Sequence, residues 1–286
     1  MNRGAIALAL AYAAWAIGCG GTTTLRERGP ALGVQSNEAP ATAITLRVQP
    51  AVGARFVAVT EVQAEATALG QAMRLDYEVR DARAVLERRP DGTTVFSERT
   101  LGGAMSMAIG DLPPREEPVE AEATASTAIM DPRGRIIDDA MFAQAPSEDE
   151  GAFVRTALEP VLDSLAYPEQ PIRVGDRWDA AGDTPLSRVD GQGTVHHELV
   201  QELVRIEGSG PEALAVIALR GRLIGRGTME GGPASAELEL EGAYSVGIGD
   251  GLVRGGQAHV RGHLAIGATA QGLDVPFEGT IRYHVE

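Results

Sequence analysis

Over most of its length this chain repeats with a period of two. In "MRLDYEVR", Met73, Leu75, Tyr77 and Val79 alternate with Arg74, Asp76, Glu78 and Arg80, as in a strand with one face on a core and the other in water. Ala236, Leu238, Leu240, Tyr244, Val246 and Ile248 alternate in the same way against Glu237, Glu239 and Glu241. In a helix this pattern would spread the apolar residues around the whole circumference, so the chain reads as mainly β from residue 42 onward.

Turn residues divide the alternation into strands. Pro90-Asp91-Gly92 in "AVLERRPDGTTVF" and Asp131-Pro132-Arg133-Gly134 in "TAIMDPRGRIIDD" each predict a hairpin. Between them "GDLPPREEPVEAEA" is proline-rich and acidic, which suits an exposed loop or edge strand. "VRGHLAIGATA" and "VPFEGTIRYHVE" predict a further hairpin across Gln271 to Asp274. Matching their apolar faces pairs Leu264 with Ile281 and Val260 with Val285. One segment differs: Ser147 and Glu150 have capping-box spacing, and Phe153, Ala157, Leu158, Val161, Leu162 and Leu165 share a helical face. They predict an amphipathic helix over 147–166, kinked at Pro160, lying across the sheet or bridging two halves.

Val174-Gly175-Asp176-Arg177-Trp178 echoes Val52-Gly53-Ala54-Arg55-Phe56, and a hairpin signal follows each at a similar distance. A constant offset of about 120 residues is the behaviour of a duplicated unit. The expected fold is two similar curved antiparallel sheets, an N-terminal β half over 42–143 and a C-terminal β half over 168–286, joined by the helix. In that frame Gly53, Gly175 and Asp176 turn the chain into a strand, and Phe56 and Trp178 enter the core. A ligand-touching Trp178 is the alternative reading.

The stretch around Trp178 reads P-x-x-P-[IV]-x-V-G-D-x-W and resembles one that recurs in uncharacterised secreted bacterial lipoproteins grouped as domains of unknown function. That resemblance implies no activity. At the level of fold, a curved sheet with a helix against it is similar to the LolA and LppX lipid carriers. The N-terminus agrees with secretion: Arg3 precedes an apolar run from Ala5 to Ile17, too short to cross a bilayer and suited to an export signal over 1–18. Ala16-Ile17-Gly18-Cys19 resembles the lipobox of bacterial lipoproteins, departing from it at Ala16, where Leu is usual. It implies lipidation of Cys19, the only cysteine; an ordinary signal peptide with an incidental cysteine is the alternative. Gly20 in place of an aspartate favours the outer membrane under the enteric sorting rule. Residues 19–41, rich in Gly, Thr, Pro and Ala, read as a flexible tether.

Chemistry is sparse. The chain has no lysine, and its formal charge of −15 repels phosphate backbones and anionic headgroups, so no nucleic acid is expected and lipid is the route to the membrane. Without lysine or a free thiol there is no phosphate-loop lysine, no Schiff base and no cysteine nucleophile, and "RGRLIGRGTMEGG" reads as a strand or bulge. His196 and His197 are adjacent and face opposite ways along a strand, while His259 and His263 stand about 13 Å apart along theirs. All five histidines read as solvated strand residues. No metal, cofactor or catalytic residue is expected. The chain therefore reads as a lipid-anchored envelope protein acting as a non-enzymatic binding or structural module, whose partner is an envelope protein or an apolar ligand. The leading alternative is a carrier holding an apolar ligand in the sheet's concavity, and an enzyme is a third class.

Overall fold

The alternating segments form thirteen strands of a single sheet in the computed structural model, which describes residues 22–27, 43–68, 70–139, 166–186, 193–229, 232–266 and 273–286. The strands are β1 (Thr22–Glu27), β2 (Arg55–Ala68), β3 (Gln71–Arg88), β4 (Thr94–Ile109), β5 (Arg115–Val119), β6 (Ser126–Met130) and β7 (Ile136–Asp139). They continue as β8 (Arg177–Leu186), β9 (Gly193–Glu207), β10 (Leu214–Met229), β11 (Gly232–Gly247), β12 (Val253–Ile266) and β13 (Leu273–Val285). Every pairing is antiparallel, in the order β1-β8-β9-β10-β11-β12-β13-β2-β3-β4-β6-β7, with β5 on the upper part of β4.

This order corrects the expectation of two similar sheets. The chain makes two meanders, β2 to β7 and β8 to β13, but β13 pairs with β2 from Phe277 opposite Ala66 to Val285 opposite Ala58. Two separate sheets would each leave a long row of unpaired N–H and C=O groups at that edge, and merging them satisfies both rows. The predicted helix over 147–166 lies outside the described residues, except for Ala166, which is not helical. Within the expected tether, Thr22–Glu27 pairs along β8, with Thr22 opposite Asp183 and Glu27 opposite Trp178.

The predicted faces and most predicted turns are present. Met73, Leu75, Tyr77 and Val79, and Ala236, Leu238, Leu240, Tyr244 and Val246, are buried in one apolar cluster that also takes in residues of β4, β8, β9, β10, β12 and β13. The Pro90-Asp91-Gly92 turn joins β3 to β4, the Asp131 turn joins β6 to β7, and the proline-rich acidic stretch supplies β5 as an exposed edge strand. The hairpin of β12 and β13 has a different register from the one expected: Leu264 faces Val275 and Val260 faces Gly279. The displacement is an even number of residues, so each side chain keeps its face while its partner changes. His263 is accordingly opposite Pro276.

One end of the sheet is sealed by two crossing segments, 43–54 and 166–176, and here the repeated Val-Gly stretches do the same work. Gly53 and Gly175 take φ of 85° and 92°, which a side chain would resist. Gly53 N donates to Val85 O at 2.9 Å and Val85 N to Ala54 O at 2.9 Å; Gly175 N donates to Leu203 O at 2.8 Å and Leu203 N to Asp176 O at 3.1 Å. Each stretch is thus stitched to the hairpin that follows it. Asp176 tightens its turn by accepting from Arg173 N at 2.8 Å. Beyond the turns Phe56 packs half-buried against the core, while Trp178 is 1% exposed and its Nε1 donates to Ala166 O at 3.1 Å.

The crossing segments also tie down two of the turns at this end. Val48 N donates to Pro132 O at 2.9 Å and Gln49 N to Asp250 O at 2.8 Å; Tyr167 N donates to Arg133 O at 2.8 Å and its hydroxyl to Gly251 O at 3.0 Å. Ile44 and Ile172 exchange a pair of backbone bonds of 2.8 Å between the two segments. Strands distant in the sheet are thereby fastened together. Replacing Trp178 with alanine removes the largest buried side chain of the seal and should cost about 3–5 kcal/mol in urea unfolding. Trp178→Phe, which mainly leaves the Ala166 carbonyl unpaired, should cost about 1–3 kcal/mol. A loss below about 1 kcal/mol for the alanine variant would show that the seal does not depend on this ring.

Candidate functional site

The polar face of the sheet is organised by charge. β10 presents Arg220 and Arg222, β11 presents Glu237, Glu239 and Glu241, β12 presents His259, Arg261 and His263, and β13 presents Asp274 and Glu278. Register sets opposite signs against one another: Arg220 faces Glu241, Arg222 faces Glu239, Glu239 faces Arg261, and Arg261 faces Glu278. Arg261 reaches Glu239 through Nε at 2.9 Å and Nη2 at 2.8 Å, Arg222 pairs diagonally with Glu237, His263 Nδ1 lies 3.3 Å from Asp274, and His259 Nδ1 lies 3.0 Å from the Thr280 hydroxyl. Each exposed pair contributes little to stability, because water and salt screen it. Because Glu237, Glu239 and Glu241 repeat one sign, a two-residue slip would still set Arg222 and Arg261 against glutamates, so the rows balance charge without fixing register.

Clefts lie over this face. A cleft of about 1110 Å³ is lined by Glu65, Arg74, Glu237, Arg261, His263 and Asp274 among others. A second, of about 1030 Å³, is lined by Asp179, Glu198, Arg220, Arg222, Glu241 and His259 among others. They share Glu239, Arg261 and Glu278 and form one trough across the charged rows. A third cleft of about 840 Å³ over β2 to β5 is acidic, with Glu61, Asp76, Glu78, Glu116 and Glu117. Its neighbours Arg282 and Arg115 pair with Glu61 and Glu117.

β9 carries the one departure from solvated histidines. His196 points to water, held by Asp183 at 2.8 Å and Glu198 at 3.5 Å, and its pKa is raised chiefly by the hydrogen bond to Asp183. His197 points inward between Gly182 and Leu223 and is 4% exposed. Burial first, and then the neighbouring His196, push its pKa down to about 4. It is therefore neutral at physiological pH, and its Nε2 has no hydrogen-bond partner among the described residues. Four residues on along the same face, Gln201 accepts a hydrogen bond from the Tyr244 hydroxyl, while its own Nε2 has no partner among the described residues. Burial raises the Tyr244 pKa well above its ordinary value and keeps the donor protonated. The reading of His197 as solvated is thus corrected. The signal was in the sequence: His197 stands in the apolar register of Val195, Leu199 and Leu203.

The remaining candidate residues divide by place. Trp178, Gly175, Asp176, Phe56 and Gly53 gather at the sealed end rather than at a cleft, and Cys19 lies outside the described residues. Among the described residues, no cluster of three or more His, Cys, Asp or Glu side chains has the geometry to hold a metal ion. No protein-family model matches the chain, and no curated protein matches it. An outer membrane channel from Pseudomonas putida F1 aligns over 87% of this chain and all of its own, at 11% identity and a TM-score of 0.24. OccK7 (OpdD) of Pseudomonas aeruginosa aligns over 83% of this chain and 99% of its own, at 5% identity and a TM-score of 0.24.

The histidine geometry has a consequence for acid stability. The folded value near 4 lies below the ordinary 6.5, so between those values the unfolded chain holds a proton at His197 that the folded chain does not. The contribution is fully present above about pH 6.5 and is lost as the pH falls toward 4, to a limit of about 3 kcal/mol. His196, with its raised pKa, acts in the opposite direction. Urea unfolding of the wild type and His197→Leu at pH 7.5 and 4.5 separates the two: the variant should lose about 2 kcal/mol less on acidification. Equal losses would mean that water reaches His197 in the folded state.

Proposed function

We propose that this chain is a lipid-anchored protein of the bacterial cell envelope, held at the outer membrane through Cys19, and that it acts without catalysis as a binding module. Its working surface is the charged face of the sheet. The observation that carries this reading is the trough over β10 to β13 and β2 to β3, where the two larger clefts merge among rows of arginine and carboxylate. A surface of alternating sign suits a polar partner with charges of both signs, such as a folded envelope protein, and gives specificity through charge register more than through raw affinity. Support for the anchor is the placement of the only cysteine directly after the apolar N-terminal run.

A carrier of acyl chains requires a cavity walled by apolar side chains. Among the described residues the apolar face is packed into one continuous cluster, and the two larger described clefts set guanidinium and carboxylate groups beside apolar lining from residues such as Phe277 and Leu240. An acyl chain seated there would desolvate those charges without pairing them. The binding-module reading is therefore preferred over the carrier.

Two measurements test this. Cys19→Ser should move the protein from the membrane fraction to the soluble fraction of the envelope, and unchanged fractionation would overturn the anchor. A photo-crosslinking residue placed at His263, in the trough, should yield a discrete adduct in intact cells, whereas one at Leu101 should not. Adducts at neither position would remove the trough as the working surface. A stoichiometric lipid recovered by native mass spectrometry and solvent extraction would transfer the function to the carrier class.

A further inference from the structure

The pairing of β1 bears on how the body meets its membrane. A free tether of the length of 19–41 would let the body tumble within a reach of about 27 Å. Thr22–Glu27 instead lies antiparallel along β8, over six residue pairs from Thr22 opposite Asp183 to Glu27 opposite Trp178. β8 starts at the sealed end and finishes at the opposite end, where β2 and β4 also finish, so β1 enters at that opposite end. Cys19 precedes Thr22 by three residues, a span of at most about 10 Å.

Resting on the lipid-anchor reading above, we infer that β1 is an anchor strap: it fixes the body with the end of the sheet opposite the seal toward the membrane and the sealed end away from it. The surface that end faces is the lipid that holds Cys19. Three further observations agree. Without β1, β8 would be the bare edge of the ladder, and pairing it removes an unsatisfied row of backbone groups. Glu27 finishes the strap beside Trp178, and the described chain resumes by Ile44, which is bonded to Ile172 at the same end. The strap can therefore leave β8 and the chain enter β2 without recrossing the sheet. At the end opposite the seal the turn after β4 exposes Leu112, at 55%, an apolar contact for the membrane interface. The acids nearby, Glu65, Asp111 and Asp274, oppose attraction to anionic headgroups, so the strap, and not surface charge, sets the orientation.

The test uses the full-length acylated protein in vesicles of phosphatidylethanolamine and phosphatidylglycerol that carry a headgroup energy acceptor. With Cys19 occupied by lipid, Leu112→Cys and Val52→Cys each offer one thiol for a donor dye, at the far and sealed ends. Along a strand of the length of β2 those ends stand about 45 Å apart. Transfer should be several-fold more efficient from position 112 than from position 52. Thr24→Pro combined with Leu25→Pro, at two positions of which one N–H must face β8 because successive N–H groups alternate in direction, should bring the two efficiencies together while leaving the unfolding midpoint of the body within a few degrees. Equal transfer in the parent protein, greater transfer from position 52, or a difference that survives the double proline variant each overturns the strap. Acylation is scored first, by the mass of the N-terminal peptide; an unmodified Cys19 overturns the anchor itself and the strap with it, and is thereby told apart from failure of the orientation alone.

Discussion

The ladder between β13 and β2 is the interaction on which the rest of this structure depends. It joins the last strand of the chain to the first strand of its first meander, with Ile281 opposite Val62 and Tyr283 opposite Thr60. Without it each meander would present a long apolar face with nothing to cover it and two open edges. With it, the apolar side chains of both meanders share one cluster. The cost is loop-closure entropy over most of the chain, which grows only slowly with length.

The sealed end locks what this seam allows. Segments 43–54 and 166–176 fasten the β6–β7 turn and the β11–β12 turn by backbone bonds, so strands far apart in the sheet are held at fixed separation. A chain without disulfides in its body needs such long-range ties, because its stability rests on burial and backbone pairing alone. On the charged face, rows of opposite sign are aligned by the same register that aligns the core.

Much of this was readable from local pattern. Strand faces followed from parity, and the Asp91-Gly92 and Asp131-Gly134 turns followed from residues that tolerate left-handed or tightly turned backbone. Register was harder to read. The β12–β13 pairing differs from the apolar match by an even number of residues, and any even shift leaves both faces correct, so parity cannot choose among such registers. His197 shows the reverse case: its type suggested solvent, but its parity with Val195 and Leu199 placed it inside, and parity was the better guide.

The amino-acid sequence by itself determined that the chain is built of strands, which side of each strand is apolar, and where hairpins turn. Those are local properties, decided by side-chain period and turn stereochemistry over a few residues. Only the tertiary structure decided that the two meanders share one sheet, that Thr22–Glu27 pairs along β8, and that the charged rows line a trough. These depend on which backbone edges find each other across more than a hundred residues. Edge pairing is made of N–H and C=O groups that every residue carries, so no side-chain pattern encodes the partner.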